Sequence, residues 1–376
     1  MIQVNTDVIN AISSPVRKIE ARVELFEGST LVNEFKHTGK LISFDIDRVG
    51  DESKFFGFGV SQKINIKLID KDRELSITTA NYFRVVFTIN GEDLTAYPNF
   101  YVTEVHRDEN TNELSITAYD ALKDIDKLNA SNIFIDNWDL SIRGYMSASA
   151  DALGLVVRDE EGAIVEDGVA CNAEGEYTSL VYAEAAEVNI EGTETLRDIL
   201  NALAEVSHSI YYIDSNNKLH FKDLNSAENG EIEIPKAQYV TLDSGDNRRL
   251  SNIVHTTDLS DNLSISTGEV GTTQYLRNNP FIDLNIDNTT LILNDIISNL
   301  GNFTINQFNL EWRGDPAVEI GDRLVITTKD NNTVTSYMLN DTISYNGSLT
   351  ESTSWSYEDN EEETESTPAT IGEIIK

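Results

Sequence analysis

Histidine catalysis and zinc binding both need a second group held beside the imidazole, and residue spacing is the first test for one. The five histidines, His37, His106, His208, His220 and His255, are scattered, so no helical face carries two of them and no HExxH pattern occurs. Most fall in strand patterns and read as structural. Cys171 is the single cysteine of the chain. It can form no intrachain disulfide and no cysteine-based zinc cluster. Folding could bring it to His208, but its surroundings, GVACNAEGEY, lack the local signatures of cysteine hydrolases. The 64 acidic residues make close pairs such as Asp45/Asp47 and Asp283/Asp287 expected by chance. A glycosidase assignment therefore has no specificity, and solvated strand faces account for the pairs. No EF-hand loop, G-x-S-x-G elbow, Walker A loop or helix-opening G-x-G-x-x-G is present. Gly57 and Gly59 in FFGFGV mark a strand bulge or a close approach of backbones. Trp138, Trp312 and Trp355 could stack on a sugar, yet isolated aromatics in or beside strands serve cores and interfaces. Arg313-Gly314-Asp315 spells an adhesion tripeptide short enough to arise by chance. These residues predict no catalytic centre, no metal site and no cofactor.

The elements that would have to position any site are mainly strands. From Arg17 to Asp120 apolar residues alternate with polar ones, as in KIEARVELFEGS, where Ile19, Ala21, Val23 and Leu25 share a face and Glu27-Gly28-Ser29 makes a turn. LISFDIDRV, KINIKLID, FRVVFTI, FYVTEVHRD and NELSITAYD continue the pattern, with Asn90-Gly91 as a hairpin signal. A short helix is predicted from about Asp120 to Leu128. Beyond it SIRGYMSASADALGL has helical spacing, and Gly154 stands at its C′ position. TLRDILNALAEVSHS places Leu196, Ile199, Leu200 and Leu203 on one face, with Thr195 and Asp198 as an acidic capping box. The strands SIYYID and KLHFKDL follow as a hairpin. Strand patterning returns from about Ile232 and is interrupted near Asn288 to Leu300 by a helix ending before Gly301. FTINQFNLEW, DRLVITTKD, TVTSYMLNDTISY and SLTESTSWSYE complete it. The fold class expected is α+β, mainly β. Its ranges are an N-terminal β-barrel at 1–128, an α+β insertion at 129–230, a second β-rich barrel with one helix at 231–357, and an acidic mobile tail at 358–376.

Size and charge narrow the possible functions. At about 150 residues per domain the chain predicts two to four domains. Its net charge of −36 argues against gripping duplex DNA or an anionic membrane. With 40% hydrophobic residues the chain can build cores and is not disordered throughout. No stretch approaches the roughly 20 apolar residues of a membrane span, and the start lacks a signal-peptide pattern, so folding in a cytosol is expected.

Family resemblance rests on an ordered set of segments. The string from Trp312 through Arg313, Gly314, Asp315, Pro316, Ala317, Val318, Glu319, Ile320 and Gly321 to Asp322, followed by DRLVITTKD and ISYNGSLTESTSW, resembles the second β domain of phage tail hub proteins. That family is also called tail-associated, baseplate-hub-like or prophage endopeptidase tail proteins. FFGFGVSQKINIKLID resembles its N-terminal barrel, and ITAYDALKDIDKL its strand-to-helix exit. TLRDILNALAEVSHSIYYIDSNNKLHFKD resembles its helix-hairpin insertion, and QYLRNNPFI the lead-in to its late helix. The segments span about Arg17 to Tyr357 in the family's order. Pro316 fixes φ, Gly314 and Gly321 permit tight turns, and Asp315 and Asp322 can accept turn N–H groups.

The resemblance implies two tube-like antiparallel β-barrels per chain with α+β insertions between them. It implies a homotrimeric ring at the phage or prophage tail tip, assembled in the bacterial host cytoplasm, whose paired barrels imitate sixfold symmetry. Implied partners are a distal tail or tail tube protein, a tape measure protein, and receptor-binding or fibre proteins for host attachment. Such a ring closes the DNA channel and later passes DNA without specific binding, and an acidic lumen would repel phosphate. Trp312, Gly314, Asp315, Pro316, Gly321 and Asp322 would then be architectural. Lytic activity in such proteins usually lies in a separate C-terminal module, not expected within these 376 residues. The alternatives are a tail-associated cell-wall hydrolase with spatially assembled acids or histidines, and a carbohydrate-binding tail module built on exposed tryptophans.

Overall fold

The computed structural model describes residues 12, 14, 16–134, 141–159, 162–171, 190, 193–226, 229–257, 260–282, 286–300 and 303–357. The predicted tail at 358–376, Trp138, Asp283 and Gly301 lie outside the described residues.

Nine strands come first: β1 (Ile19–Glu27), β2 (Thr30–Lys36), β3 (Leu41–Val49), β4 (Phe58–Gly59), β5 (Ser61–Ile69), β6 (Asn81–Ile89), β7 (Glu92–Leu94), β8 (Phe100–Asp108) and β9 (Glu113–Tyr119). The period-two pattern does what it predicts: Ala21, Val23 and Leu25 of β1 are buried, as are Phe44 and Ile46 of β3 and Ile64, Ile66 and Leu68 of β5. Between β6 and β7 Asn90 and Gly91 take φ of +52° and +102°, the left-handed pair that a tight hairpin requires. A 3₁₀ helix, Ala121–Lys127, leaves β9, and Asp120 caps it by accepting the Leu122 N–H at 3.0 Å.

The insertion carries helices Ala130–Phe134, Ile142–Ala152 and Leu196–Val206 with strands β10 (Val157–Arg158), β11 (Ile164–Glu166), β12 (Val169–Cys171), β13 (Ser209–Ile213) and β14 (Leu219–Asp223). The capping box forms as expected, with Asp198 accepting the Thr195 N–H at 2.8 Å and Thr195 accepting the Asp198 N–H at 3.4 Å. Leu196, Ile199, Leu200 and Leu203 are buried on the face that the spacing specified. The hairpin β13–β14 lies in a four-stranded sheet ordered β12-β14-β13-β4, so the two-residue strand of FFGFGV belongs to the insertion's sheet.

The last part contains β15 (Glu231–Ile234), β16 (Tyr239–Thr257), β17 (Ser260–Ser266), β18 (Thr272–Arg277), helix Ile286–Leu300, β19 (Thr304–Trp312), β20 (Arg323–Thr327), β21 (Thr333–Tyr337), β22 (Asn340–Tyr345) and β23 (Leu349–Trp355). β15, β20 and β21 form a small sheet in that order. Its β15–β20 pair is parallel, as is β16–β18, where the resemblance implied an antiparallel barrel; β12–β14 and β13–β4 of the insertion's sheet are parallel as well.

The α+β, mainly β class stands, but the two β regions are not separate closed barrels among the described residues. A single fourteen-stranded sheet runs β17-β16-β19-β23-β22-β3-β5-β9-β8-β6-β1-β2, with β18 and β7 attached to β16 and β6. The join is β3 with β22, paired antiparallel from Phe44↔Tyr345 to Arg48↔Asp341. Alternation reports which face a strand buries and carries no information about the partner at its edge, so this pairing was not readable. The first half of the sheet still rolls around a core: Phe44 and Phe87 meet at 6.0 Å, and the Ala21 N–H donates to the Tyr345 hydroxyl at 3.2 Å. That core includes Ala317, Ile343 and Leu349 from the C-terminal part. A second core unites the insertion helices, Phe55, Phe56 and Val60 with Leu293, Leu310 and Trp355.

Candidate functional site

The string from Trp312 to Asp322 is the loop where these parts meet. Trp312 ends β19 buried, and its indole N–H donates to Thr353 Oγ1 at 3.3 Å. Gly314 has φ +73°, and a Cβ there would lie 2.9 Å from Glu351 Cβ, so only glycine lets the chain cross β23 this closely. The Asp315 N–H donates to Glu351 Oε2 at 3.0 Å, and Asp315 Oδ1 accepts the Ala317 N–H at 2.9 Å across buried Pro316. At the far end Gly321 has φ +78°, with its absent Cβ 2.9 Å from Leu224 Cδ2. Asp322 accepts from Glu319 N–H at 3.0 Å, Gly230 N–H at 3.2 Å and Lys222 Nζ at 2.8 Å. All six predicted residues are therefore buried, Trp312 at the end of β19 and the other five in the loop that leads from it to β20 and touches β14 and β23. Arg313 turns to the Ile12 and Ser14 carbonyls at 2.5 and 2.8 Å, which leaves no exposed adhesion tripeptide.

Three charged residues beside this loop escaped the sequence reading. Arg48 forks onto Asp341, Nε to Oδ1 at 2.6 Å and Nη2 to Oδ2 at 2.9 Å, and its Nη1 donates to the Val318 carbonyl at 2.9 Å. The guanidinium lies 5.5 Å from the Tyr97 ring centre. Glu351 is buried within the same cluster. A readable signal existed. Arg48 follows Phe44 and Ile46 on the apolar face of LISFDIDRV, Asp341 precedes Ile343 and Tyr345 on that of NDTISY, and Glu351 sits between Leu349 and Trp355 on that of LTESTSW. A charge on the buried face of an alternating strand needs a partner.

The electrostatics follow from burial. Burial, then the neighbouring Asp341, pushes the Glu351 carboxyl up to about 8. Burial also raises Asp315 and Asp341, the latter against the pull of Arg48. Burial lowers Arg48, but Asp341 leads the interactions, with Tyr97 and Glu351, that together more than reverse this and hold the guanidinium firmly charged. Asp322 behaves differently: burial would raise it, yet Lys222 leads the interactions that hold it below the ordinary carboxylate range.

On its other side the long sheet presents polar rows in register. One row runs Thr241, Glu311, Ser352, Thr342, Asp47, Lys63, Tyr119 across β16, β19, β23, β22, β3, β5 and β9. A second runs Thr350, Ser344, Asp45, Asn65, Thr117. All are exposed or half-buried, and hydroxyls and amides dominate. Asp47 accepts from Thr342 Oγ1 at 2.9 Å and Asn65 Nδ2 at 3.4 Å, while Asp45 accepts from Ser344 Oγ at 2.7 Å. The pair Asp45/Asp47 thus bridges strands and is not merely solvated.

The remaining candidates are dispersed. His208 Nδ1 lies 3.2 Å from Asp223 Oδ2, and Cys171 Sγ accepts from Arg143 at 3.1 Å. His220 stacks on Tyr212, and burial pushes its imidazole down to about 3. Among the described residues no three His, Cys, Asp or Glu side chains converge to hold a metal ion. Trp312 and Trp355 are 4% and 1% exposed, so neither is the exposed sugar platform considered from sequence. Gly57 and Gly59 do mark close approaches: a Cβ would fall 2.4 Å from Glu205 Cγ and 2.5 Å from the Tyr211 ring. Within the described residues no helix is long and apolar enough to cross a membrane.

No family model matches the chain, and no curated protein matches it. Solved structures match by fold, and that fold is the one found in phage and prophage tail proteins. The tail protein from Neisseria meningitidis MC58 superposes with a TM-score of 0.55 at 11% identity, over 88% of this chain and 95% of that one. The 43 kDa tail protein of prophage MuSo2 from Shewanella oneidensis gives 0.53 at 11% identity, over 90% and 98%. Prophage tail protein gp18 from Listeria monocytogenes EGD-e gives 0.50 at 11% identity, over 90% and 95%.

Proposed function

We propose that this chain is a structural hub of a phage or prophage tail tip and works through its assembled shape, without a reactive centre. The observation that carries the reading is the single sheet crossing both β regions through β3 and β22, in a chain whose fold matches tail proteins over about nine-tenths of its length. Three copies would set their paired β bodies around a common axis as a ring. The ring would join a distal tail or tube protein and the tape measure protein to receptor-binding or fibre proteins, and would close the DNA channel. Within each copy the bodies would be 1–128 and 231–357, separated by the insertion at 129–230. The loop residues Trp312, Gly314, Asp315, Pro316, Gly321 and Asp322 would fix the geometry between them.

The polar rows support this role and refine the expected acidic lumen. A channel wall of hydroxyls and amides, with few cations, offers a passing polyanion little to grip. Particle assembly in the host cytoplasm and residence in the virion follow from the same reading. Native mass measurement of the full chain, followed by imaging of tail tips, tests it. A threefold mass or a threefold ring at the tip is expected. A subunit that stays single with and without tail components, and is missing from purified tails, would overturn it. Incubation with cell-wall sacculi tests the non-enzymatic part: no cleavage is expected, and cleavage lost on replacing one acid or histidine would establish the hydrolase alternative.

A further inference from the structure

We propose that the seam joining the two β regions is a proton-held latch, in which Glu351 sits as a neutral acid and its ionisation loosens loop 313–322 from β23. The proposal concerns the fold of one chain and stands apart from its assembly. Three carboxylates from three segments, Asp315 of the loop, Asp341 of β22 and Glu351 of β23, are each no more than 9% exposed; Asp341 and Glu351 lie in the field of Arg48 of β3, and Asp315 is joined to Glu351 through its N–H. Arg48 commits Nε and Nη2 to Asp341 and Nη1 to the Val318 carbonyl. The hydrogen-bond partners of Glu351 are uncharged: the Asp315 N–H donates to Oε2 at 3.0 Å, and the Thr353 hydroxyl, 3.2 Å from Oε1, can accept the proton of the neutral acid.

The other charged and titratable groups around the cluster do not replace that cation. Tyr97, from the segment before β8, has its phenol raised by burial and stays neutral. Asp47 adds a further negative charge beside Asp341. Arg17 and Arg313 pull on Asp315, and Arg17 also on Glu351, but neither donates to a carboxylate of the cluster: Arg17 donates to the Arg313 carbonyl and Arg313 to the Ile12 and Ser14 carbonyls. An ionised Glu351 would therefore stand beside Asp341 and Asp315 in a buried site, where like charges repel strongly. Its backbone neighbour across the hydrogen bond is Asp315, so the strain falls on the loop that braces the seam.

The sign follows from linkage. Glu351 ionises near 4.5 when unfolded and at about 8 when folded, so the folded chain holds one more proton between those values. Its contribution to stability is present at low pH, falls as pH rises through that window, and is constant above it. The test is denaturant unfolding of the full chain from pH 5 to 9 for wild type and Glu351→Gln, whose amide keeps the size and an acceptor for the Asp315 N–H. The unfolding constant of wild type should rise up to about tenfold per pH unit more steeply than that of the variant. Hydrogen exchange at Ile46 and Ile343 should also quicken, relative to Val23 and Val85, as pH rises from 5 to 8, and level off above that, in wild type alone. Parallel profiles for the two proteins would overturn the latch. Should the variant fail to fold, carbon-13 NMR titration of the wild-type Glu351 carboxyl decides: a midpoint near 8 supports the latch, and one near 4.5 removes it.

Discussion

Two buried ion pairs hold the two joints of this molecule, and they are built to opposite designs. At the β3–β22 seam Arg48 and Asp341 are 3% and 1% exposed, and two further acids, Asp315 and Glu351, crowd the same pocket. Where the insertion hairpin meets the loop, Lys222 and Asp322 are 3% and 0% exposed; Lys222 also donates to the Ile320 carbonyl, and Asp322 also accepts two backbone N–H groups. The first joint carries more acid than its hydrogen-bonded cation can neutralise. The second matches charge with charge and meets the remaining oxygens with backbone donors. Burial alone does not set the behaviour of a charged joint; the number of donors facing each carboxylate does.

Removing the cations should break this comparison most severely. Arg48→Met strands Asp341 in a site that already repels anions, and a loss of about 3–5 kcal/mol is expected. Lys222→Met should cost less, since Asp322 retains the Glu319 and Gly230 N–H groups. Urea unfolding at pH 7 checks the order, and an equal or larger loss at Lys222 would reverse it. The pH responses sharpen the contrast. Asp322 is held below its ordinary value of 3.8, so its contribution is present above that pH and is lost as pH falls through the folded value. Asp322→Asn should therefore differ most from wild type near neutrality and converge with it in acid, whereas Glu351 has the opposite sign.

The two glycines rank next. At Gly321→Val and Gly314→Val a branched side chain meets both a left-handed φ and a contact at 2.9 Å. A loss of about 2–4 kcal/mol is expected for each, read as a lowered Tm. Gly314→Val should disturb the seam, because its contact is Glu351. Gly321→Val should instead disturb the hairpin, because its contact is Leu224. Hydrogen exchange at Ile343 and at Tyr211 separates the two effects.

What could be read from sequence divides along the same line between local and distant contacts. β1, β3, β5 and the helix Leu196–Val206 were legible because their own periodicity decides which face is buried. β2 was missed because, as an edge strand, it buries little besides Phe35 and leaves Leu31 and Val32 exposed. The seam was missed because β3 and β22 lie nearly three hundred residues apart and edges leave no periodic mark. In the candidate site the turn chemistry of Gly314, Asp315, Pro316, Gly321 and Asp322 was legible from residue type. Their partners Glu351 and Lys222 of distant strands, and Leu224 just past the end of β14, were not. Arg48 could have been singled out, since no other feature of LISFDIDRV explains a cation in line with Phe44 and Ile46.

The smallest expected effect tests whether the seam also depends on its polar side. Thr342 and Ser344 of β22 donate to Asp47 and Asp45 of β3, so these hydroxyls add side-chain bonds to the backbone ladder. Thr342→Val and Ser344→Ala should each cost about 1 kcal/mol, because a half-buried acceptor loses one donor and recovers part of it from water. Thr350→Val, at the exposed end of the row that holds Ser344, should change stability by less than about 0.5 kcal/mol. Thermal unfolding of the three variants gives the comparison. If Thr350→Val proved as costly as the β22 pair, the polar rows would contribute through strand propensity and not through the bonds across β3 and β22. The join between the two β regions would then rest on Arg48 and its carboxylates alone.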